Sequence, residues 1–114
     1  MPIRNNGNLV MKIKEGVNMS GLKIEMRPVI MVADKIWDKH LQELVITSAT
    51  EGTHSPGSLH YYGYALDLRT RYFDEIDKYA VTEELKYELT KRNKLYRVVV
   101  HKTHIHIEYR GAIV

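Results

Sequence analysis

Cysteine is absent from this chain, which excludes disulfides and thiolate metal ligands alike, so any bound metal must be held by nitrogen and oxygen. Long apolar runs are missing as well. Nowhere do about 18 consecutive apolar residues occur, the length a membrane-spanning helix requires, so no span is expected. The first residues, Met1-Pro2-Ile3-Arg4-Asn5-Asn6-Gly7, lack the apolar centre of a signal peptide. Synthesis in the cytoplasm is therefore expected, with any action elsewhere dependent on release by another agent. Blocks of like charge are lacking too. The formal charge of +3 and pI near 9.1 favour an anionic partner only weakly, because Lys and Arg are scattered along the chain. Without a continuous basic patch or an aromatic-basic motif, nucleic acid is not expected to be that partner. No internal repeat, low-complexity tract or linker divides the sequence, and 114 residues suit one domain spanning 1–114. A monomer is the expected state.

What is present is patterned. Leu9, Met11 and Ile13 alternate with Lys12 and Lys14, as in a strand with one wet face. Leu22, Ile24 and Met26 alternate again after Ser20-Gly21, where a hairpin and a loop leading into a helix fit almost equally. Pro28 suits a first helical turn. Ile30, Ala33, Trp37, Leu41 and Leu44 then recur near the helical period, which predicts an amphipathic helix over 29–42 with Trp37 in the core. His40, near its end, reads as a solvated or C-terminal capping residue. Leu44-Val45-Ile46-Thr47-Ser48 is a β-branched run suited to an interior strand. Ala65-Leu66-Asp67-Leu68-Arg69 reads as another, with the leucines on one face and Asp67 on the other.

Asp74 can cap a helical turn through Ile76, Tyr79 and Ala80. Thr82, followed by Glu83 and Glu84, predicts a further helix over 82–92, whose Lys91 and Arg92 complement its dipole. Residues 96–101 and 103–110 supply two more strands, although Lys102-Thr103 is a poor tight-turn sequence and leaves open whether they form a simple hairpin. On the last strand, period two puts His104, His106, Glu108 and Arg110 on one face and Ile105, Ile107 and Tyr109 on the other. The whole predicts an α+β domain, a small antiparallel sheet with two or three helices packed on it.

Five of the six histidines fall after residue 53. His60 and Asp67 are separated by Gly63, which lets the chain between them turn sharply. Strand residues two apart stand roughly 6–7 Å from one another on one face, so His104 and His106 can both approach a single ion, although one suffices. A catalytic zinc takes three protein ligands of N and O type and leaves a fourth position to water. Each residue alone has an ordinary explanation. A histidine in a Tyr-rich loop usually sits on the surface, an aspartate near Arg69 and Arg71 pairs or caps, and polar residues alternate on any half-exposed strand. The combination is more specific than its parts, and it points to one bound Zn2+.

Ser58-x-His60-x-x-Gly63-x-Ala65-x-Asp67 resembles the Ser-x-His-x-x-Gly-x-Ala-x-Asp signature of the zinc D-alanyl-D-alanine carboxypeptidase family, which includes vancomycin-resistance dipeptidases and phage endolysins. His104-x-His106 resembles the later His-x-His segment of the wider group that also contains lysostaphin and hedgehog. The resemblance spans 29–110. It implies a hedgehog/DD-peptidase-like fold, zinc ligands at His60, Asp67 and His106, and hydrolysis of peptidoglycan stem peptides by a carboxypeptidase or endopeptidase. Relatives with Glu-x-x-His use that glutamate as general base. Thr103 occupies the position here, so the role passes to His104, with Glu108 on the same strand face as the second candidate. His54, Ser58 and Tyr61 are then expected along the substrate groove. A non-catalytic zinc domain of the same fold, structural or partner-binding, is the alternative that hedgehog-type relatives imply.

Overall fold

A computed structural model describes residues 10–111; Leu9 of the first expected strand and the Met1–Gly7 stretch lie outside the described residues. In chain order the elements are β1 (Lys12–Ile13), a 3-10 turn (Ile24–Met26), α1 (Arg27–Lys39), β2 (Val45–Ser48), a second 3-10 turn (Leu59–Tyr62), β3 (Ala65–Arg69), α2 (Glu75–Arg92), β4 (Tyr96–Val100) and β5 (His104–Tyr109). One five-stranded sheet runs in the order β1-β2-β3-β5-β4. The class is α+β as expected, but the sheet is mixed rather than antiparallel. β1 pairs with β2 in parallel, and the other neighbours are antiparallel. Because α1 lies between β1 and β2 in the chain, it carries the backbone over the sheet before β2 begins, and such a crossover returns a strand in the same direction.

Local details depart from the sequence pattern for identifiable reasons. The alternation over 22–26 does not become a hairpin strand; it enters the 3-10 turn that runs straight into α1. That helix stops at Lys39 rather than at 42. Leu41 takes a left-handed φ of 61°, its N–H donates to Asp38 O, and Gln42 N–H donates to Trp37 O, both at 3.0 Å. These are the paired bonds of a Schellman ending. Glycine usually marks such an end, and without it the apolar period simply continues past the stop. The two helical stretches expected after Asp74 are one helix. Asp74 Oδ1 accepts from Asp77 N–H at 2.7 Å and caps it, whereas the Thr82 hydroxyl donates to Lys78 O at 2.7 Å and is satisfied inside the helix instead of starting one.

The two helices pack on one face of the sheet. Val29, Ile36 and Trp37 of α1 and Leu85 and Leu89 of α2 close over Leu66 and Leu68 of β3 and Ile105 and Ile107 of β5. Trp37 Nε1 also donates to Arg69 O at 3.1 Å. Burying side chains of this size stabilises the fold by about 1.5–3 kcal/mol each. It also fixes the strands' facing, since a slip of one residue would turn every side chain over. Asp67, His104, His106 and Glu108 are thereby committed to the opposite face. β4 and β5 form a direct hairpin despite the poor turn sequence, because Lys78 Nζ donates to the His101 and Lys102 carbonyls at 2.8 and 3.0 Å and holds the turn from α2.

Gly63 closes the second 3-10 turn with φ of 81°. A Cβ built there would lie 2.1 Å from Gly21 O, so the position forbids a side chain as well as favouring the left-handed backbone. Gly63→Ala combines roughly 1–2 kcal/mol of left-handed strain with displacement of a packed backbone, a loss of about 3 kcal/mol or more. In thermal denaturation this should lower Tm by roughly 10 °C or more; an unchanged melt would contradict the close approach.

Candidate metal centre

Asp67 and His106 are register partners in the β3–β5 pairing, so their side chains stand together on the face away from the helices. Asp67 Oδ1 and His106 Nδ1 are 2.9 Å apart. His60 arrives from the second 3-10 turn, which Ser58 caps by accepting from His60 N–H at 3.2 Å. Its Nε2 lies 3.1 Å from both Asp67 Oδ1 and His106 Nδ1. It is also only 2 % exposed, unlike the surface histidine that a Tyr-rich loop usually carries. The structure thus brings His60, Asp67 and His106 into one cluster of ligand atoms.

Proton accounting says what that cluster can hold. His60 Nδ1 is 2.6 Å from Ala49 O. A carbonyl only accepts, so Nδ1 carries the proton and Nε2 presents a lone pair. His106 Nε2 is 2.8 Å from Glu108 Oε1, which likewise places the proton there and leaves Nδ1 with a lone pair. Asp67 Oδ1, when ionised, is an acceptor too. Three lone pairs therefore face one another at 2.9–3.1 Å, an arrangement that requires a positive centre. Ligand atoms around one tetrahedral zinc, with bonds of about 2.0–2.1 Å, stand roughly 3.3 Å apart. The triangle needs to open by only a few tenths of an ångström. Two imidazoles, each oriented through its other nitrogen, and one carboxylate form a donor set that fits a divalent ion of the zinc type.

Without a metal, a second proton on His106 is the alternative positive centre. Burial pushes the His106 pKa down, but hydrogen bonds to Asp67 and Glu108 outweigh it and raise the group above its ordinary 6.5. For Asp67, burial pushes upward, yet the hydrogen bond and charge of a protonated His106, with a further contribution from the adjacent His60 ring, hold it well below its ordinary 3.8. A raised histidine stabilises the metal-free fold fully below its unfolded pKa and loses that contribution as pH rises through its folded value. A depressed aspartate contributes above its unfolded pKa and loses it as pH falls through the folded value. The His106 contribution to the metal-free fold should therefore be larger near about pH 5.5 than near about pH 8, with His104, whose pKa is lowered, opposing it at the acid end. A metal ion held by this cluster would have to displace the His106 proton, so zinc affinity is expected to fall about tenfold per pH unit once pH drops below the raised His106 value. Melting with and without zinc across this range checks both signs. A zinc-induced rise in Tm that did not shrink at acid pH would contradict the competition.

The cluster lies at the floor of an open cleft of about 630 Å³ whose lining includes His54, Ser58, His101, His104 and Glu108. His104 Nε2 is 3.7 Å from Asp67 Oδ2, and its ring stacks on His101 at 4.6 Å and 19°. Burial is the largest influence on His104 and holds its pKa below 6.5; the Asp67 charge opposes this, while His101, His106 and His60 reinforce it. At neutral pH the ring is uncharged and keeps a lone pair. Glu108 sits behind His106, with Arg110 Nε and Arg97 Nη1 at 3.4 and 3.8 Å from its second oxygen. His54 stacks flat on His60, 4.0 Å between centroids at 8°. Tyr61 is not among the cleft-lining residues; its hydroxyl donates to His54 O at 2.8 Å and accepts from His54 N–H, which ties down the loop.

Sequence reasoning passed over His101 and the Ala49 carbonyl. A signal for His101 existed, since the β4 alternation that sets Arg97 and Val99 opposite Glu108 and His106 continues to it. None existed for Ala49, because every residue offers a carbonyl. Comparison with protein-family profiles, with characterised proteins and with solved structures gave no match. Among the described residues no helix is long and apolar enough to cross a membrane.

Proposed function

We propose that this chain is a zinc-dependent metallopeptidase that hydrolyses amide bonds in peptidoglycan stem peptides, as a carboxypeptidase or endopeptidase of compact, endolysin-like build. One observation carries the proposal: three candidate ligand atoms, from His60, Asp67 and His106, converge at the floor of an open cleft beside the His104 imidazole. Bound there, zinc supplies Lewis acidity towards an amide carbonyl and brings the pKa of a water to about 7. The rest falls to side chains. His104 Nε2 accepts the nucleophile's proton and returns it to the leaving amine, while Asp67 Oδ2, 3.7 Å away, stabilises the imidazolium that forms between those steps. Glu108, bonded to His106 Nε2 at 2.8 Å, is better suited to positioning that ligand than to taking the proton. His54 and Ser58 on the cleft wall are the residues for substrate contact. The stem-peptide substrate rests on the match of Ser58 through Asp67 to the carboxypeptidase signature. The protein would act as a monomer, without nucleic acid, on wall reached after release from the cytoplasm.

The test is incubation of the zinc-loaded protein with digested wall fragments, with products read by mass. A zinc-dependent loss of a terminal residue, or a cut within the stem peptide, at one zinc per chain is the expected result. Zinc bound with every fragment intact would favour a structural or partner-binding zinc domain, whose specific support is Thr103 at the position where family members with a Glu-x-x-His segment carry their glutamate. Failure to bind zinc rejects both.

A further inference from the structure

His60 is the one ligand that no strand holds. Its aim depends on Ala49 O, the acceptor of its Nδ1 proton at 2.6 Å, and Ala49 lies just beyond the end of β2. Two anchors hold this segment: Thr50 N–H, in the peptide unit that carries the Ala49 carbonyl, donates to Asn18 O at 3.0 Å, and the Glu51 carboxylate grips Ala49 and Asn18 together. Glu51 Oε1 accepts from Ala49 N–H at 2.8 Å and from Asn18 N–H at 3.2 Å, and Oε2 accepts from the Ser48 hydroxyl at 2.9 Å. Burial works against the charge, but these donors hold the carboxyl below its ordinary 4.5. The Glu51 carbonyl, for its part, accepts from His54 Nε2 at 2.9 Å, and His54 is the ring stacked flat on His60. Glu51 thus bonds both to the segment that carries His60's hydrogen-bond acceptor and to the ring lying against its face.

We infer that Glu51 is a positioning residue of the metal centre, its carboxylate setting the Ala49 carbonyl and through it the tautomer and aim of His60. This rests on the metal-centre reading above. Among its described hydrogen bonds Glu51 makes none to a ligand side chain, and it lies nine residues before His60 in the sequence, outside the Ser58–Asp67 pattern. Loss of such an outer partner lowers metal affinity by about 10–100-fold. Glu51→Ala should show that loss. Glu51→Gln, which keeps one acceptor oxygen but turns an amide NH2 towards a donor, should fall between it and the native chain.

Zinc affinity by chelator competition, the visible absorption of the Co2+-loaded protein and melting of the metal-free protein are measured together on the native chain and variants. Thr50→Val is the control: its hydroxyl donates to Asn18 O and Ser20 O at 2.8 and 3.0 Å, anchoring the same segment without touching the Ala49 carbonyl. Native-like zinc affinity in Thr50→Val, with a 10–100-fold loss and an altered cobalt spectrum in Glu51→Ala, is the expected pattern. Native-like affinity in Glu51→Ala, or an equal loss in Thr50→Val, overturns the inference. Should Glu51→Ala fail to fold, Glu51→Gln decides in the same way. A native chain that binds neither zinc nor cobalt overturns the metal-centre reading itself, an outcome read before any variant is made.

Discussion

Asp67→Ala is expected to abolish zinc binding and, with it, cleavage of purified peptidoglycan. In the proposed centre Asp67 is the one anionic ligand of the three, and its Oδ1 lies 3.1 and 2.9 Å from His60 Nε2 and His106 Nδ1. Removing it leaves two neutral imidazoles, too few donors and no charge, so the loss should exceed the roughly 10–100-fold that follows removal of an outer partner. The fold should survive. The carboxylate lies on the sheet face away from the helices, and its removal costs at most about 1–3 kcal/mol for hydrogen bonds that the metal-free protein makes. Metal content and activity can therefore be compared on a folded variant. Undiminished cleavage by metal-free Asp67→Ala would reject the peptidase proposal.

His104→Ala should separate chemistry from metal binding. The ring lies beside the cluster, its Nε2 3.7 Å from Asp67 Oδ2, and it makes no contact that the three ligand atoms need. Zinc should stay at one per chain while kcat falls by about 10²–10⁴, the usual worth of a positioned general acid–base. KM should change little, because the loss belongs to the transition state. An unchanged kcat would move the proton-accepting role to Glu108, the other candidate on the strand. That outcome would also require Glu108 to leave its 2.8 Å bond to His106, which makes the two roles mutually exclusive in one geometry.

Much of the architecture is legible residue by residue where the cause is local. The alternation of Leu66, Asp67 and Leu68, and of Ile105, His106 and Ile107, predicts which side chains share a face, and the burial of the leucines and isoleucines agrees. Caps are less dependable. Asp74 caps as its type suggests, but Thr82 does not, because once α2 runs through it the hydroxyl finds Lys78 O one turn back. Leu41 ends α1 with no glycine to announce it. In each failure the deciding partner is a backbone group, and backbone groups leave no trace in residue identity.

The same division holds at the site. His60, Asp67, His104, His106 and Glu108 are recognisable as candidates from the chain alone, because residue chemistry and strand period are properties of a few consecutive positions. That Asp67 stands directly across from His106, that His60 is buried against Ala49 O, and that β1 joins the sheet in parallel were decided only by the packed structure. Those facts depend on register, on a carbonyl common to every residue, and on a helix crossing the sheet, each set by contacts between segments far apart in sequence. Local pattern chose the donors; long-range packing aimed them at one point and assigned their protons.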